Sequence, residues 1–313
     1  MEKEIRDVVM IGAGPSALAA AVYTTREDID TVLYEKGVVG GLAAITDQVD
    51  NYPGFPDGVP GLTLAEEFEK HAERFGAHIE FGEVSAIRDD GDYKTVVVDG
   101  ADVKARTVLI ATGSDYTKLN VPGEKEFYGR GVHYCATCDG AFYRDKKLVV
   151  VGGGNSAVQE AMFLTRFTTH IDLLVRSTVK ASEVLQHDLQ KHVDEGKITI
   201  HLNTTTEEIT SSDGKVTGVR ARKDGKETTF TSDGVFVFVG LKPNTGFLAE
   251  SGIEVDDRGL IKTNEHLETN MRGVFASGDV RSGATMQIAS AVGEGATAAL
   301  SIREYLDGKK MAV

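Results

Sequence analysis

Hydrophobic and polar positions follow one plan twice along the chain. An apolar run at residues 8–11 precedes a glycine turn, a helical pattern to about Arg26 and a second apolar run at 31–34. The same order returns with residues 148–151, another glycine turn, a helical pattern through Phe167 and a further apolar run. Unbroken apolar runs separated by helical patterns predict parallel strands that are covered on both faces. We therefore predict an α/β fold with two Rossmann-like, three-layer (ββα) dinucleotide-binding domains.

Each copy continues with β-rich segments and closes with another apolar strand. The segments lie at residues 79–88, 93–98 and 107–113 in the first copy, and at 198–202, 216–222, 228–230 and 235–240 in the second. No low-complexity linker separates the copies. The short joins near residues 114–118 and 241–247 are the places where we expect the chain to pass from one domain to the other.

Two more helices are indicated outside the repeated plan. Thr63 and Glu66 have the spacing of a capping box, Phe68 lies on an apolar face, and Gly76 is a stop signal. This helix is expected to be scaffold. The segment 285–306 reads as a long helix rich in Ala, Ser and Gly, so we expect it to pack closely against a neighbouring element.

A glycine-rich turn follows the first strand of each copy. The two turns read Gly12-Ala13-Gly14-Pro15-Ser16-Ala17 and Gly152-Gly153-Gly154-Asn155-Ser156-Ala157. Glycines between a strand and a helix let backbone N–H groups approach a pyrophosphate, and the helix N-terminus stabilises that anion. Both could instead be ordinary tight turns, but two copies in the same context favour two dinucleotide sites.

The second strand of each copy distinguishes the two nucleotides. Glu35 ends that strand in the first copy, where an acid accepts hydrogen bonds from ribose hydroxyls and suits FAD or NAD. The matching place in the second copy holds Arg176 and Ser177, with Lys180 nearby and no acid. Cations favour a 2′-phosphate, so the second site leans towards NADPH. The alternative is that these cations are ordinary solvated charges.

The chain has two cysteines, Cys135 and Cys138, separated by two residues. A structural zinc site would need a second ligand pair, and only His133 is near. A structural disulfide would close a very small loop and stabilise little. A redox pair is the interpretation we favour, with Asp139 beside it as a proton donor and acceptor.

A second polar feature follows a later strand. Gly278 and Asp279 come after the apolar run 273–277 and precede the small-residue helix. Asp279 could hold a ribityl hydroxyl, and the helix start near Gln287, Ile288 and Ala289 could stabilise negative charge on a reduced flavin. Ordinary turn chemistry after a strand is the alternative.

Composition excludes some classes of protein. The chain has 313 residues and a formal net charge of −14, which argues against non-specific nucleic-acid binding and is consistent with simple solubility. No apolar run approaches the roughly 18 residues that span a bilayer. The charged N-terminal segment has no apolar signal core, so we expect a cytoplasmic protein, where a disulfide is more often catalytic than structural.

These motifs together resemble those of the low-molecular-weight thioredoxin reductases over nearly the whole chain. The Cys-Ala-Thr-Cys-Asp box at 135–139 is the most specific match. The segments 51–55 (Asn-Tyr-Pro-Gly-Phe), 111–113 (Ala-Thr-Gly) and 278–279 match the family's FAD motifs, and 152–157 matches its NADPH turn. The resemblance implies an FAD domain at 1–116 and 245–313 into which an NAD(P)H domain at 117–244, carrying the dithiol, is inserted. It also implies a homodimer.

The resemblance also implies a mechanism. NADPH reduces FAD, and FAD reduces the Cys135–Cys138 disulfide. Cys138 faces the flavin, Cys135 attacks the disulfide of thioredoxin, and Asp139 is the acid/base. The flavin cannot face the nicotinamide and the dithiol on the same side at once while the dithiol also meets a protein partner. One domain is therefore expected to rotate against the other about the two joins.

The expected cofactor residues fall into two groups, and no metal ligands are expected. Those for FAD are Gly12, Gly14, Pro15, Ser16, Ala17, Glu35, Lys36, Gly40, Gly41, Leu42, Asn51, Val84, Ala111, Thr112, Gly113, Gly278, Asp279, Gln287, Ile288 and Ala289. Those for NADPH are Gly152, Gly154, Asn155, Ser156, Ala157, Arg176, Ser177, Lys180 and Gly240.

The chain departs from the family pattern at two places. The family has His-Arg-Arg and a further Arg around the 2′-phosphate, whereas this chain has Val175, Arg176 and Ser177, with Lys180 replacing the last Arg. The departure leaves NADH or a ferredoxin-type carrier open as the electron donor. Leu42 stands where the family has Gln near the flavin, which removes one polar contact. A non-catalytic redox sensor is a third hypothesis, which no sequence feature favours.

Overall fold

The protein forms two compact units. The structure, a computed structural model, describes residues 5–46, 48–49 and 51–311, with side chains described up to residue 308. One unit comprises the chain up to Asp115 together with the chain from Lys242 onward, and the other spans Tyr116–Leu241. Both units contain parallel sheets and helices, so the predicted α/β fold is confirmed. Which nucleotide each unit binds stays a prediction.

The first unit is built on a seven-stranded sheet. Its elements are β1 (Arg6–Ile11), α1 (Pro15–Thr25), β2 (Thr31–Glu35), α2 (Gly41–Ala44), β3 (Gln48–Val49), β4 (Val59–Pro60), α3 (Gly61–Glu73), β5 (His78–Phe81), β6 (Val84–Asp89), β7 (Lys94–Val98), β8 (Ala101–Ile110), β9 (Ser114–Tyr116) and, after the second unit, a 3-10 turn (Gly246–Leu248), β19 (Val274–Ala276) and α7 (Ile288–Met311). The sheet order is β5-β2-β1-β8-β7-β6, and β19 also pairs with β8.

Strand β8 joins two kinds of sheet. Its second half pairs in parallel with β1 and β19, whereas its first half pairs antiparallel with β7. Alternate residues of β1 face opposite sides: Val8 and Met10 belong to the core under α1 and α7, and Val9 and Ile11 to the core on the other face. This alternation follows from the two-residue period of a strand, and it explains why β1 is apolar throughout.

The second unit contains a five-stranded parallel sheet. Its elements are β10 (Val132–His133), α4 (Ala136–Asp139), a 3-10 turn (Gly140–Tyr143), β11 (Lys147–Val151), α5 (Asn155–Leu164), β12 (His170–Leu174), α6 (Glu183–Asp194), β13 (Ile198–His201), β14 (Thr204–Ser212), β15 (Lys215–Lys223), β16 (Lys226–Thr231) and β17 (Gly234–Val237), followed by β18 (Leu241–Pro243). The parallel order is β10-β17-β11-β12-β13, and β14-β15-β16 form a separate antiparallel sheet.

This unit has three layers, and the parallel sheet that contains β11 is the middle one. Leu148 and Val150 of β11 pack with residues of α5 and α6, while Val149 and Val151 pack with residues of the three-stranded sheet. The ββα layering that the sequence predicts is therefore present. Strands β9 and β18, in which the chain passes between the units, pair with each other as a small sheet.

One prediction about an element is corrected. Helix α3 begins at Gly61 with Pro60 as its N-cap and has no side-chain cap, so the capping box at Thr63 is wrong. The start moves because Gly61 N donates to Thr46 O, and a Cβ at Gly61 would lie 2.1 Å from Ala43 O. The prediction of β structure at 79–88 is confirmed, as two strands, β5 and β6, which lie at opposite edges of the sheet.

The small-residue tail helix packs closely, as predicted. Gly295 of α7 lies against α1, where a Cβ would be 2.1 Å from Ser16 O. Within the described ranges, no helix is both long and apolar enough to cross a membrane.

Candidate redox and nucleotide-binding sites

The first glycine turn forms an open cradle at the start of α1. Gly12 has φ of +97°, and a Cβ there would lie 2.6 Å from Ala111 O. Gly14 precedes the helix with no atom within 4 Å of its Cβ position, and no side chain caps α1. Pro15 sits at the helix start, where its missing N–H costs nothing. The uncapped N–H groups of Ser16 and Ala17 suit an anion, as a pyrophosphate site requires.

Glu35 holds the neighbouring loops. Its Oε2 accepts a hydrogen bond from Ala13 N at 2.8 Å, and its Oε1 accepts one from Gly37 N at 2.8 Å. Gly40 N donates to Ala13 O, which draws the segment 40–42 to the same turn. Each carboxylate oxygen retains a lone pair that a ribose hydroxyl can use. Glu35 therefore shapes the turn and remains able to bind a ribose.

Asp279 is a carboxylate with no hydrogen-bond donor to its side chain among the described residues. Burial and, secondly, the charge of Glu294 raise its pKa to about 6. Glu294 Oε2 accepts from Gly278 N at 2.8 Å and from Arg281 Nε at 3.0 Å. These contacts hold Glu294 in place. The half-buried carboxylate of Asp279 has no such donor among the described residues, and a ribityl hydroxyl would supply one.

Other predicted FAD residues are gathered by polar contacts. Asn51 Nδ2 donates to Gln287 Oε1 at 3.1 Å, just before α7 begins with Ile288 and Ala289. Thr112 Oγ1 donates to Asn244 O at 2.8 Å, and Asn244 N donates to Gly113 O.

Several predicted residues lie outside these contacts. Gly41 and Leu42 open α2, Lys36 is exposed, and Val84 begins β6.

Some polar residues of this region were not expected. Ser277 Oγ lies 2.6 Å from Ser16 Oγ, and both side chains are buried. Asn244 and Arg281 carry no sequence signal that singles them out. Glu294 does carry one, because it is the only charged residue in the first four turns of α7.

The second glycine turn has the same construction in the other unit. A Cβ at Gly152 would lie 2.3 Å from Phe238 O and 2.7 Å from the Cβ of Ala157. Gly154 precedes α5, has no atom within 4 Å of its Cβ position, and no side chain caps the helix. Ser156 lies exposed in the first turn of α5. The geometry suits a second anion.

The segment after β12 wraps this second turn. Lys180 N donates to Gly153 O at 2.6 Å, and Asn155 Oδ1 accepts from Ser182 N at 2.9 Å. Arg176, Ser177 and Lys180 are exposed, and no ion pair involves either cation among the described residues. Gly240 accepts a hydrogen bond from Thr117 N and lies apart from these contacts.

The two cysteines are joined as a disulfide. Cys135 and Cys138 are both partly buried, and Cys135 is the N-cap of the one-turn helix α4, where its Sγ accepts from Cys138 N at 3.2 Å. Because the two cysteines bracket a single turn, the bond can open and close with little movement of the backbone. Such an arrangement suits a redox disulfide.

Asp139 is joined to a buried histidine. Its Oδ2 lies 3.1 Å from His133 Nδ1, and His133 Nε2 lies 2.7 Å from Tyr143 Oη. His133 is 6% exposed and its ring stacks on Phe236 at 5.1 Å. Burial, followed by the charge of Asp139, raises the pKa of Tyr143, so this phenol stays protonated. The sequence placed His133 near the cysteines only as a weak zinc candidate, so its link to Asp139 was missed.

A redox-type disulfide and two nucleotide-type turns, each turn in its own Rossmann-like unit, define a dinucleotide-dependent disulfide oxidoreductase. The model of the pyridine nucleotide-disulphide oxidoreductase family matches residues 6–295. The chain belongs to this family.

The similarity extends over nearly the full chain. A protein of Bacillus subtilis named thioredoxin reductase is 42% identical over 309 residues, covering 98% of this chain and 96% of that protein. A thioredoxin reductase of Listeria monocytogenes is 42% identical over 312 residues, covering 99% and 96%. The solved structure of thioredoxin reductase from Streptococcus pyogenes has a TM-score of 0.92 at 38% identity, covering 98% of this chain and 100% of that one. The family resemblance expected from the motifs is confirmed.

Proposed function

We propose that the protein is an FAD-dependent thioredoxin-disulfide reductase that takes its electrons from NADPH. The observation that carries this proposal is the Cys135–Cys138 disulfide beside Asp139, in a chain with two separate nucleotide-type turns. Near-full-length similarity to proteins named thioredoxin reductase supports thioredoxin, or a thioredoxin-like protein, as the substrate.

The first unit has the features that FAD needs. The open turn at Gly14 and the start of α1 would hold the pyrophosphate, and Glu35 the ribose. The carboxylate of Asp279, which has no side-chain hydrogen bond within the described ranges, would hold a ribityl hydroxyl. The chemistry that the flavin supplies when bound is the transfer of an electron pair from a nicotinamide hydride to the disulfide. The chain's own groups bind and orient it.

The second unit has the features that NADPH needs. The turn at Gly154 and the start of α5 would hold the pyrophosphate, while Arg176 and Lys180 are the cations available for the 2′-phosphate. Two exposed cations provide little positive charge for a 2′-phosphate. NADH, or a ferredoxin-type carrier, is therefore the second candidate donor for the same flavin and dithiol chemistry.

The dithiol then transfers the electron pair to the partner protein. The Cys135 thiolate attacks one sulfur of the thioredoxin disulfide, and the other sulfur leaves as a thiolate that takes a proton from Asp139. Cys138 attacks Cys135 in turn, which releases reduced thioredoxin and restores the disulfide. We place this activity in the cytoplasm, in a homodimer, with no nucleic acid or membrane involved.

Thioredoxin reduction driven by NADPH tests the proposal. The wild-type holoprotein is expected to turn over, whereas Cys138→Ser should leave NADPH-driven flavin reduction intact and abolish thioredoxin turnover, because no disulfide can form in that variant. A lack of turnover by the wild type, or undiminished turnover by Cys138→Ser, would exclude the assignment.

A further inference from the structure

We propose that His133 is a second proton-holding residue of the dithiol site, so that the Asp139–His133 pair, rather than Asp139 alone, supplies the proton for thiol–disulfide exchange. This inference rests on the proposed function. His133 is a positioning residue in this scheme, because it acts through Asp139 and does not touch the sulfurs.

The contact between the two side chains is short and direct. Asp139 Oδ2 lies 3.1 Å from His133 Nδ1, which is hydrogen-bond distance for an N–H donor and a carboxylate acceptor. The side chain of Asp139 is 17% exposed, whereas that of His133 is 6% exposed. Asp139 is therefore the member that solvent and a docking protein can reach. His133 is the more buried member of the pair.

Tyr143 determines what the far side of the imidazole can do. Its Oη lies 2.7 Å from His133 Nε2, and burial keeps the phenol protonated by raising its pKa. A hydroxyl both donates and accepts, so it can accept from the Nε2–H of imidazolium and equally from the Nε2–H of the neutral ring that has lost its Nδ1 proton. Both protonation states of His133 are therefore satisfied in a buried position, which a purely structural histidine does not require.

Packing keeps the imidazole in place. Its ring stacks on Phe236 at 5.1 Å with an interplanar angle of 29°, and Tyr143 meets the same Phe236 edge-on at 5.5 Å. The ring therefore cannot turn away from Asp139 without disturbing two aromatic contacts.

The other ionisable groups around the pair act less directly. Burial raises the pKa of Tyr128, and the charge of Asp139 adds to this effect. Asp233 contributes, after burial and Asp139, to the raised pKa of Tyr143. Burial raises the pKa of Glu160, and a backbone hydrogen bond from Ala136 partly opposes it. Among the described residues, the hydrogen-bond and ion-pair partners of the His133 side chain are Asp139 and Tyr143.

The proton moves in two steps that balance. As the Cys135 thiolate bonds to one sulfur of the partner disulfide, the other sulfur leaves with the electron pair of the broken S–S bond and takes the proton from Asp139 Oδ2. That proton reaches the carboxylate from Nδ1 of the His133 imidazolium, which becomes neutral imidazole with its remaining proton on Nε2, facing Tyr143. The pair takes its next proton from water through the exposed side of Asp139.

The test is the pH profile of thioredoxin reduction by the holoprotein. In His133→Asn, the amide can still donate a hydrogen bond to Asp139 but cannot carry the extra proton. We expect the kcat of this variant at pH 8 to be about tenfold or more below that of the wild type. The limb of the profile in which kcat falls with rising pH should move to lower pH, and KM for thioredoxin should not change. His187→Asn, on the exposed face of α6, should retain the wild-type profile.

Tyr143→Phe is the second variant, since it keeps the edge-on contact with Phe236 and removes only the hydroxyl. Tyr143→Phe should also move the falling limb of the pH profile to lower pH. If His133→Asn does not fold or bind FAD, the profile of Tyr143→Phe tests the inference instead. A wild-type profile in the folded variants overturns the inference and leaves the proposed function standing. A wild-type protein without thioredoxin turnover instead defeats the proposed function itself.

Discussion

The carboxylate of Asp279 lowers the stability of the folded protein at a position where we expect it to bind FAD. Asp279 is half-buried, has no side-chain donor among the described residues, and lies close enough to Glu294 for their charges to repel. A carboxyl whose folded pKa is raised to about 6 from 3.8 favours its protonated form in the folded state. Ionisation therefore opposes folding. Stability is lost as pH rises through the interval from about 4 to 6, and the cost above it is about 2–3 kcal/mol.

Asp279→Asn should therefore stabilise the apoprotein at pH 7.5 and weaken FAD binding. The neutral amide removes the cost of ionisation, but it is a poorer acceptor for a ribityl hydroxyl. Urea unfolding of the two apoproteins at pH 5 and 7.5 measures the first effect, which should be larger at pH 7.5. Asp257→Asn, at an exposed position, is the matched control. An advantage that did not grow with pH would count against the assigned cause.

The two exposed cations decide between nicotinamide donors. If Lys180 contacts the 2′-phosphate, Lys180→Ala should weaken the apparent affinity for NADPH about tenfold and leave NADH unaffected, since a charge-assisted hydrogen bond contributes roughly 1.5–3 kcal/mol before solvent screening. Stopped-flow flavin reduction with both nucleotides measures this. Lys226→Ala removes an exposed lysine elsewhere in the same unit and should change neither. Equal losses for NADPH and NADH would remove the cations from the 2′-phosphate site.

Residue identities predicted the dithiol and both turns, but not the polar contacts that support them. Glycine turns and a Cys-x-x-Cys pair are local in sequence, so their chemistry can be read directly. Asn244 reaches Thr112 across 132 positions, and Ser277 reaches Ser16 across 261. Such contacts depend on how distant segments fold together, and no local pattern contains that information.

Helices α1 and α7 illustrate packing at the scale of elements. Gly295 lets the two helices approach until a Cβ would lie 2.1 Å from Ser16 O and 3.2 Å from the Cβ of Ala19. Two residues earlier, Gly293 is exposed with no atom within 4 Å of its Cβ position. The same substitution on one helix therefore meets two different environments.

Gly295→Ala should lower the free energy of unfolding by about 1–3 kcal/mol, because backbone must move to admit the methyl group. Gly293→Ala should raise it by about 0.5–1 kcal/mol, because alanine has the higher helix propensity and meets no neighbour. Chemical denaturation of the two variants beside the wild type measures both. If both variants shifted the same way, the close contact between α1 and α7 would be refuted.

In the antiparallel sheets, Asp-Gly pairs in the sequence are local signals of the turns between strands. Asp99-Gly100, Asp213-Gly214 and Asp224-Gly225 each join two strands with both residues at positive φ, the conformation that two-residue hairpins favour. The residue at which α3 begins could not be predicted from the local sequence. Thr63 has the right residue type for a cap, but the approach of Gly61 to Ala43 and Thr46 accompanies an N-cap three residues earlier, at Pro60.

The twofold plan of the sequence corresponds to the two units of the whole molecule. Each unit places a glycine turn between a parallel strand, β1 or β11, and the helix that follows it, and the second unit carries the dithiol. Periodicity predicted the parallel strands, because a buried strand is apolar on both faces. It could not predict that residues 78–81 and 84–89 lie at opposite edges of one sheet, since that depends on strand order.

At the scale of the whole molecule, we propose that Cys135 is the residue whose sulfur exchanges with thioredoxin. Reduced Cys138→Ser holoprotein can be mixed with a thioredoxin whose single remaining active-site cysteine is activated with thionitrobenzoate, and release of that chromophore can be followed together with the mass of the product. We expect about one equivalent of chromophore and a covalent one-to-one complex through Cys135, with no complex from Cys135→Ser. No complex from Cys138→Ser, while the wild type still reduces thioredoxin, would contradict the account.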